Sequence, residues 1–184
     1  MPMRLPVLAC LAATLAVTAC APKPTAFSVA ATDAQDGDFA SRQYYNSEGC
    51  TGDNASPRLI WTEPPKGTQS LAVTIFDPDA KTDHGGWWHW LVSDIPSDTR
   101  ELKAKAGSGD GLPSGAHQYA NDFKIEGYGG PCPPIGETHT YVITLYALKT
   151  AHLEVPARAS DADIKAKLEG AAIAQATTTL RAGR

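Results

Sequence analysis

No run of basic residues occurs in this 184-residue chain, and its formal net charge is -4 at pH 7. The electrostatic footprint that a phosphate backbone requires is missing, which argues against nucleic acid as a partner. Long apolar runs are also missing. The clearest, Leu5 to Val17, falls short of the roughly 20 residues that a helix needs to cross a bilayer. Cysteine is scarce, at four, and no sequence feature pairs a thiol with a base, so cysteine catalysis is not indicated. Internal repeats and low-complexity segments are absent. What is present is an ordinary globular composition, 42% hydrophobic and 20% charged, in a chain long enough to build one domain around a sizeable core.

The amino-terminal stretch reads as a targeting segment rather than as part of the fold. Arg4 supplies a short basic start, the apolar stretch follows, and Val17-Thr18-Ala19-Cys20 resembles a bacterial lipobox. There, small residues fit the signal peptidase and the cysteine sulfur takes a diacylglycerol. Residues 1–19 are expected to leave as a lipoprotein signal peptide, with Cys10 among them. Lipidated Cys20 would then begin a mature chain in which residues 20–26 tether a body at 27–184. A triacylated cysteine anchors stably. Ala21 rather than Asp after the cysteine fits outer-membrane sorting in a host that has such a membrane. This reading implies a membrane-anchored envelope protein facing the periplasm; a plain secretory signal is the alternative.

Beyond the tether, short β-rich runs alternate with turn residues. Strands are expected at Phe27–Ala31, Leu59–Trp61, Leu71–Phe76, Trp87–Asp94 and Thr138–Leu148. Asp33–Asp38, Gly52–Pro57 and Pro64–Gly67 read as turns, and Pro96–Phe123 as a long irregular connection. Ile164, Leu168, Ala171, Ala172 and Leu180 recur near helical spacing, which predicts a helix over Asp161–Arg181 with Ser160 as N-cap. The pattern is mainly β: an antiparallel β-sandwich with a peripheral C-terminal helix.

Two stretches carry the chemistry. In the first, Leu71–Phe76 is stopped by Asp77-Pro78-Asp79, and a strand returns from Gly85-Gly86 through Trp87-Trp88-His89-Trp90. Strict alternation sets Trp87, His89 and Leu91 on one face and Trp88, Trp90 and Val92 on the other. His89 is then either a core histidine satisfied locally or one wall of a ligand pocket. In the second, the Gly/Pro-rich run Gly127–Gly136 leads into a strand with His139 and Tyr141 on one face and Val142 and Thr144 on the other. A stiff loop followed by an inward histidine and tyrosine suits an anion.

Together these stretches resemble the phosphatidylethanolamine-binding protein family, in its bacterial Raf-kinase-inhibitor-like branch. The matching pieces are DPDA at Asp77–Ala80, GGWWHWLVSDIP at Gly85–Pro96 and GYGGPCPPIGETHTY at Gly127–Tyr141. CTGDNASPRLIW at Cys50–Trp61, LPSGAHQYANDF at Leu112–Phe123 and LYAL at Leu145–Leu148 agree in order. The resemblance spans Phe27 to Arg184. It implies two antiparallel sheets with a small ligand cavity at one end, lined by Asp77, His89, His139 and Tyr141 and walled by Trp87, Pro133 and Pro134, with backbone N–H groups such as that of Gly130 available. The implied ligand is a small anion such as phosphate or phosphorylethanolamine.

The resemblance also brings Cys50 and Cys132 towards one end of the fold, where an oxidising compartment invites a disulfide; two separate buried thiols are the alternative. Departures from the family pattern are Thr140 in place of arginine, Lys81 in place of proline and Tyr119-Ala120 before NDF. A binding module is expected rather than an enzyme, with no cofactor and no metal, although Asp77, His89 and His139 could form a facial metal set. A regulatory interaction protein with an unspecified protein partner is the alternative function, and a hydrolase using His89 or His139 as base is a third. Loops around the pocket could support a homodimer. His84, His117 and His152 read as solvated.

Overall fold

Strands rich in β-branched and aliphatic residues build the middle of the larger sheet, and short pieces cover it. The computed structural model describes residues 26–83, 85–109, 111–155 and 161–184. The expected signal peptide, Cys20 and the tether as far as residue 25 lie outside the described residues, as do His84 and Ser160. In chain order the elements are β1 (Val29–Ala31), β2 (Leu59–Trp61), β3 (Ser70–Asp77), β4 (Trp87–Pro96), β5 (Glu101–Leu102), β6 (His117–Gln118), β7 (Thr138–Leu148), α1 (Asp161–Ala171) and β8 (Ala172–Gly183). A three-stranded sheet runs β1-β2-β5 and a five-stranded sheet β6-β4-β3-β7-β8. All the pairings are antiparallel. The expected mainly β fold of two antiparallel sheets with one helix is present.

β3 reads as a near-continuous apolar run because both its faces are covered. Leu71, Val73 and Ile75 point between the sheets, where they meet Leu59 and Trp61 of β2, Val92 of β4 and Ile143 and Leu145 of β7. Ala72 points the other way, under α1, with Trp88, Leu91, Tyr146, Leu148, Ile164 and Leu168. Each fully buried aliphatic side chain contributes roughly 1.5–3 kcal/mol from burial.

Three expectations need correction. The helix predicted over Asp161–Arg181 ends at Ala171, and the chain continues as the 12-residue strand β8, paired along β7 from Leu148↔Ala172 to Thr138↔Gly183. Its inward residues are mostly alanine, which signals helix by propensity. Yet the burial alternates with period two, and Thr177-Thr178-Thr179 is a β-branched run.

The second correction concerns β4. Ile75 pairs with Trp90 and Phe76 with Trp88, so His89 is an extra residue, a β-bulge. Alternation breaks there. Trp90 and Val92 join the inter-sheet core, while Leu91 joins Trp88 beneath the helix.

Third, the long connection of residues 96–123 is not wholly irregular: β5 adds to β2 of the small sheet and β6 to β4 of the large one. The connection thus stitches the two sheets together.

Candidate functional site

The antiparallel pairing of β3 with β7 brings Asp77 to His139, 62 residues apart in sequence. Both side chains are almost fully buried, and His139 Nδ1 lies 2.7 Å from Asp77 Oδ2. Asp77 Oδ1 accepts the N–H groups of Asp79, at 2.9 Å, and Ala80, at 3.1 Å. This carboxylate is committed on both oxygens. It closes the turn after β3 and orients the imidazole.

His139 Nε2 lies 3.1 Å from Glu137 Oε2. Two carboxylates on the two ring nitrogens require two N–H donors, which only the imidazolium has. Burial opposes the charge, but the hydrogen bonds to Asp77 and Glu137 outweigh it and raise the His139 pKa above its ordinary value.

His89 is the opposite case. Its Nδ1 donates to the Gly129 carbonyl at 2.7 Å, and the Gly129 N–H returns to the His89 carbonyl at 2.8 Å. Burial pushes its pKa down to about 4, with the Gly129 hydrogen bond and the Asp77 charge offsetting only part of the effect. At neutral pH the ring is uncharged. Because a carbonyl can only accept, the proton sits on Nδ1 and Nε2 is an acceptor.

The Tyr141 ring packs edge-on against that of His89, 5.0 Å away between ring centres. The Tyr141 hydroxyl is buried and makes no hydrogen bond of good geometry among the described residues, although the Asp77 carboxylate stands near enough to act on it. Burial, then the Asp77 charge, raise its pKa, so it stays a phenol and a donor. The Trp87 indole N–H is also buried, without a partner among the described residues. An unpaired buried donor costs on the order of 1–3 kcal/mol.

These groups line one cavity of about 320 Å³. Asp77, Trp87, His89, Pro133, Pro134, His139 and Tyr141, all expected from the sequence, are on its wall. Gly130 is not. Its N–H donates to Asn54 Oδ1 at 2.7 Å, and a Cβ on it would stand 2.2 Å from the Gln43 carbonyl. Gly130 is there for close backbone packing, and its N–H is unavailable to a ligand in this arrangement. His89 has one ring nitrogen and His139 both ring nitrogens engaged inside the protein, and no cluster able to hold a metal ion occurs among the described residues.

Sequence reasoning gave no role to Glu48, Phe123 or Glu137, and treated Lys81 only as a departure; all four line the cavity. Glu137 was legible in principle, since two residues before His139 on an extended chain is the same face. Phe123 forms the aromatic side, packing edge-on against Trp87 at 5.2 Å and His89 at 5.5 Å between ring centres. Its neighbour Asp122 accepts the Trp88 N–H on Oδ2 at 2.8 Å and donates its own N–H to the Trp88 carbonyl, holding the strand beside the bulge. Cys50 and Cys132 are joined in a disulfide, which ties the turn after Tyr45 to the Pro133-Pro134 wall. Of the other histidines, His117 and His152 are exposed, His152 Nδ1 standing 3.3 Å from Asp94 Oδ2.

The sequence model described as phosphatidylethanolamine-binding protein matches residues 31–182. The chain belongs to the phosphatidylethanolamine-binding protein family. Within that family it is 43% identical to the UPF0098 protein YbhB of Escherichia coli over 149 residues, covering 80% of this chain and 94% of the relative. The crystal structure of Escherichia coli YbcL, described as a new member of the mammalian PEBP family, superposes with a TM-score of 0.80 at 39% identity, covering 86% of this chain and 98% of that one. A mycobacterial relative that bears the name "Putative lipoprotein LppC" is 38% identical over 130 residues, covering 69% of this chain and 59% of its own length. The Asp77, His89, His139 and Tyr141 motifs on which the sequence resemblance rests converge on the cavity here.

Proposed function

We propose that this protein is a lipid-anchored envelope protein that binds a small anion of the phosphate-monoester class in the cavity, and that it is not an enzyme. The observation that carries the reading is the Tyr141 hydroxyl: a permanently protonated donor, buried and without a hydrogen bond of good geometry among the described residues, on a wall it shares with the imidazolium of His139. A phosphate monoanion complements this set. Its unprotonated oxygens accept from Tyr141 and Trp87, and its P–OH donates to Nε2 of neutral His89.

The same groups are poorly arranged for hydrolysis. His89, with a pKa of about 4, is a weak base, His139 is saturated by two carboxylates, and Cys132 is in a disulfide. Anchoring rests on the lipobox ending at Cys20 and is supported by the lipoprotein name of one relative.

Calorimetric titration of the purified protein with phosphorylethanolamine and inorganic phosphate tests the binding reading. Saturable heat that is lost in His139→Ala and in Tyr141→Phe supports it, and the absence of heat at millimolar ligand refutes it. The intact mass of the protein isolated from membranes tests the anchor, since acylation at Cys20 adds the mass of the lipid.

A further inference from the structure

Two nitrogen-bearing side chains on the cavity wall, Lys81 and His139, converge on a single carboxylate oxygen. Glu137 Oε2 lies 3.1 Å from His139 Nε2 and 3.6 Å from Lys81 Nζ. One anionic oxygen bridging an imidazolium and an ammonium is what a bound phosphate oxygen would do there. The site is therefore filled by its own side chain.

The two carboxylates on His139 are not equivalent. Asp77 has a 4% exposed side chain, is held by two backbone N–H groups and cannot leave without unmaking the turn after β3. Glu137 is different. Its side chain is 41% exposed, so it can swing into solvent. Its backbone stays fixed meanwhile, because the Glu137 N–H donates to Pro134 O at 3.0 Å and the Gly136 N–H to Arg184 O at 2.6 Å. A carboxylate on a mobile side chain and a fixed backbone is displaceable but never far away.

We propose that Glu137 is an internal counter-ligand that a phosphorylated ligand must displace, and that it thereby selects phosphorylated amino alcohols over plain phosphate. This rests on the anion reading of the cavity. A bare phosphate that takes His139 and Lys81 leaves the Glu137 carboxylate beside a second negative charge. A ligand with an ammonium two carbons from its phosphate gives the displaced carboxylate a partner, and Glu48 on the same wall adds a second acceptor. The cost of displacement then falls on one ligand class and not on the other.

The test is calorimetry at pH 7 on wild type and Glu137→Gln, with inorganic phosphate and with phosphorylethanolamine. Glu137 is exposed enough that the variant will fold. Phosphate should bind roughly fivefold more tightly to Glu137→Gln, the order expected for removing one like charge at contact range in a solvated mouth. Phosphorylethanolamine should change by less than about twofold, since the variant removes a competitor and an ammonium partner together, so the preference between the two ligands collapses. Equal affinities of both proteins for both ligands would overturn the role of Glu137 and leave the anion reading standing, and weaker phosphate binding by the variant would do the same. If neither protein binds either ligand, the anion reading fails and this inference falls with it.

Discussion

His89 and Gly129 exchange two hydrogen bonds, ring to carbonyl at 2.7 Å and amide to carbonyl at 2.8 Å. The exchange couples a tautomer to a backbone irregularity, because the same residue that bulges out of β4 is the one whose proton is fixed on Nδ1. Sequence periodicity alone would have placed Leu91, not Trp90, on the side of His89. The bulge reverses that, and it puts an uncharged imidazole against an aromatic wall.

The protonation of His89 sets one sign of the acid response. Its folded pKa, about 4, lies below the unfolded value of 6.5, so its contribution to stability is complete above pH 6.5 and is lost as pH falls towards 4. The loss by pH 4.5 should be on the order of 2–3 kcal/mol. Urea unfolding of wild type and His89→Asn at pH 7 and pH 4.5 measures it: the variant, though less stable at pH 7, should lose correspondingly less on acidification. Equal losses would mean that the ring is not buried neutral.

His139 carries the opposite sign. Its raised pKa makes its contribution full below pH 6.5 and lost as pH rises through the folded value. Nitrogen-15 spectra of the imidazoles at pH 6.5 should therefore show His139 with both nitrogens protonated and His89 as the Nδ1–H tautomer. In Glu137→Gln the midpoint of His139 should move down, since one of its two carboxylate partners is gone. A single neutral form for both rings would refute the split.

Trp90 is fully buried between the sheets, its ring edge-on to Tyr128 and its indole N–H donating to Gln118 at 2.7 Å. Trp90→Ala should cost roughly 3–5 kcal/mol in chemical denaturation. Trp87, partly exposed on the cavity wall, should cost much less on the same change and should instead weaken ligand binding. Similar stability losses at the two positions would show the faces to be wrongly assigned.

The strand at the end of the chain predicts a period-two pattern of mutational cost. Leu180 is 3% exposed while Thr179 is on the outer face. Leu180→Ala should cost roughly 2–5 kcal/mol and Thr179→Ala less than about 1 kcal/mol. A helix through this segment would instead give matching costs at positions three and four apart, and amide exchange along residues 172–183 distinguishes the two patterns directly.

Much of the site was legible because its residues sit in short, ordered motifs whose spacing survives without knowledge of the fold. Asp77 after a β-rich run, and His139 two residues from Tyr141, fix a face by themselves. The sandwich was legible from turn residues between short strands. Other features were not readable locally. The bulge at His89 follows from register against β3, a nonlocal pairing that no window around Trp87–Val92 contains. The strand after Ala171 was hidden by alanine, whose own preference is for helix, and became a strand because β7 offers a partner along its whole length. Gly130 reads as a ligand donor because a glycine-rich loop permits that use; only the position of Asn54, 76 residues away, shows where its N–H goes. Glu137 carries no local signal, because an exposed glutamate in a turn is usually just solvated, and it gains meaning only from Lys81 and His139 beside it.

The disulfide between Cys50 and Cys132 spans a sequence separation of 82, and on loop-closure grounds its removal in a Cys50→Ser, Cys132→Ser double variant should cost roughly 2–4 kcal/mol. A further consequence concerns breakage rather than folding. The ring it closes encloses β2 through β6 and the entire connection of residues 96–123. A protease that cuts once within that ring produces no separate fragments; the protein stays one covalent molecule, still holding its cavity wall, and comes apart only when a reductant is added. A nicked copy would therefore migrate as one chain until reduced, and electrophoresis with and without reductant would tell intact from cut.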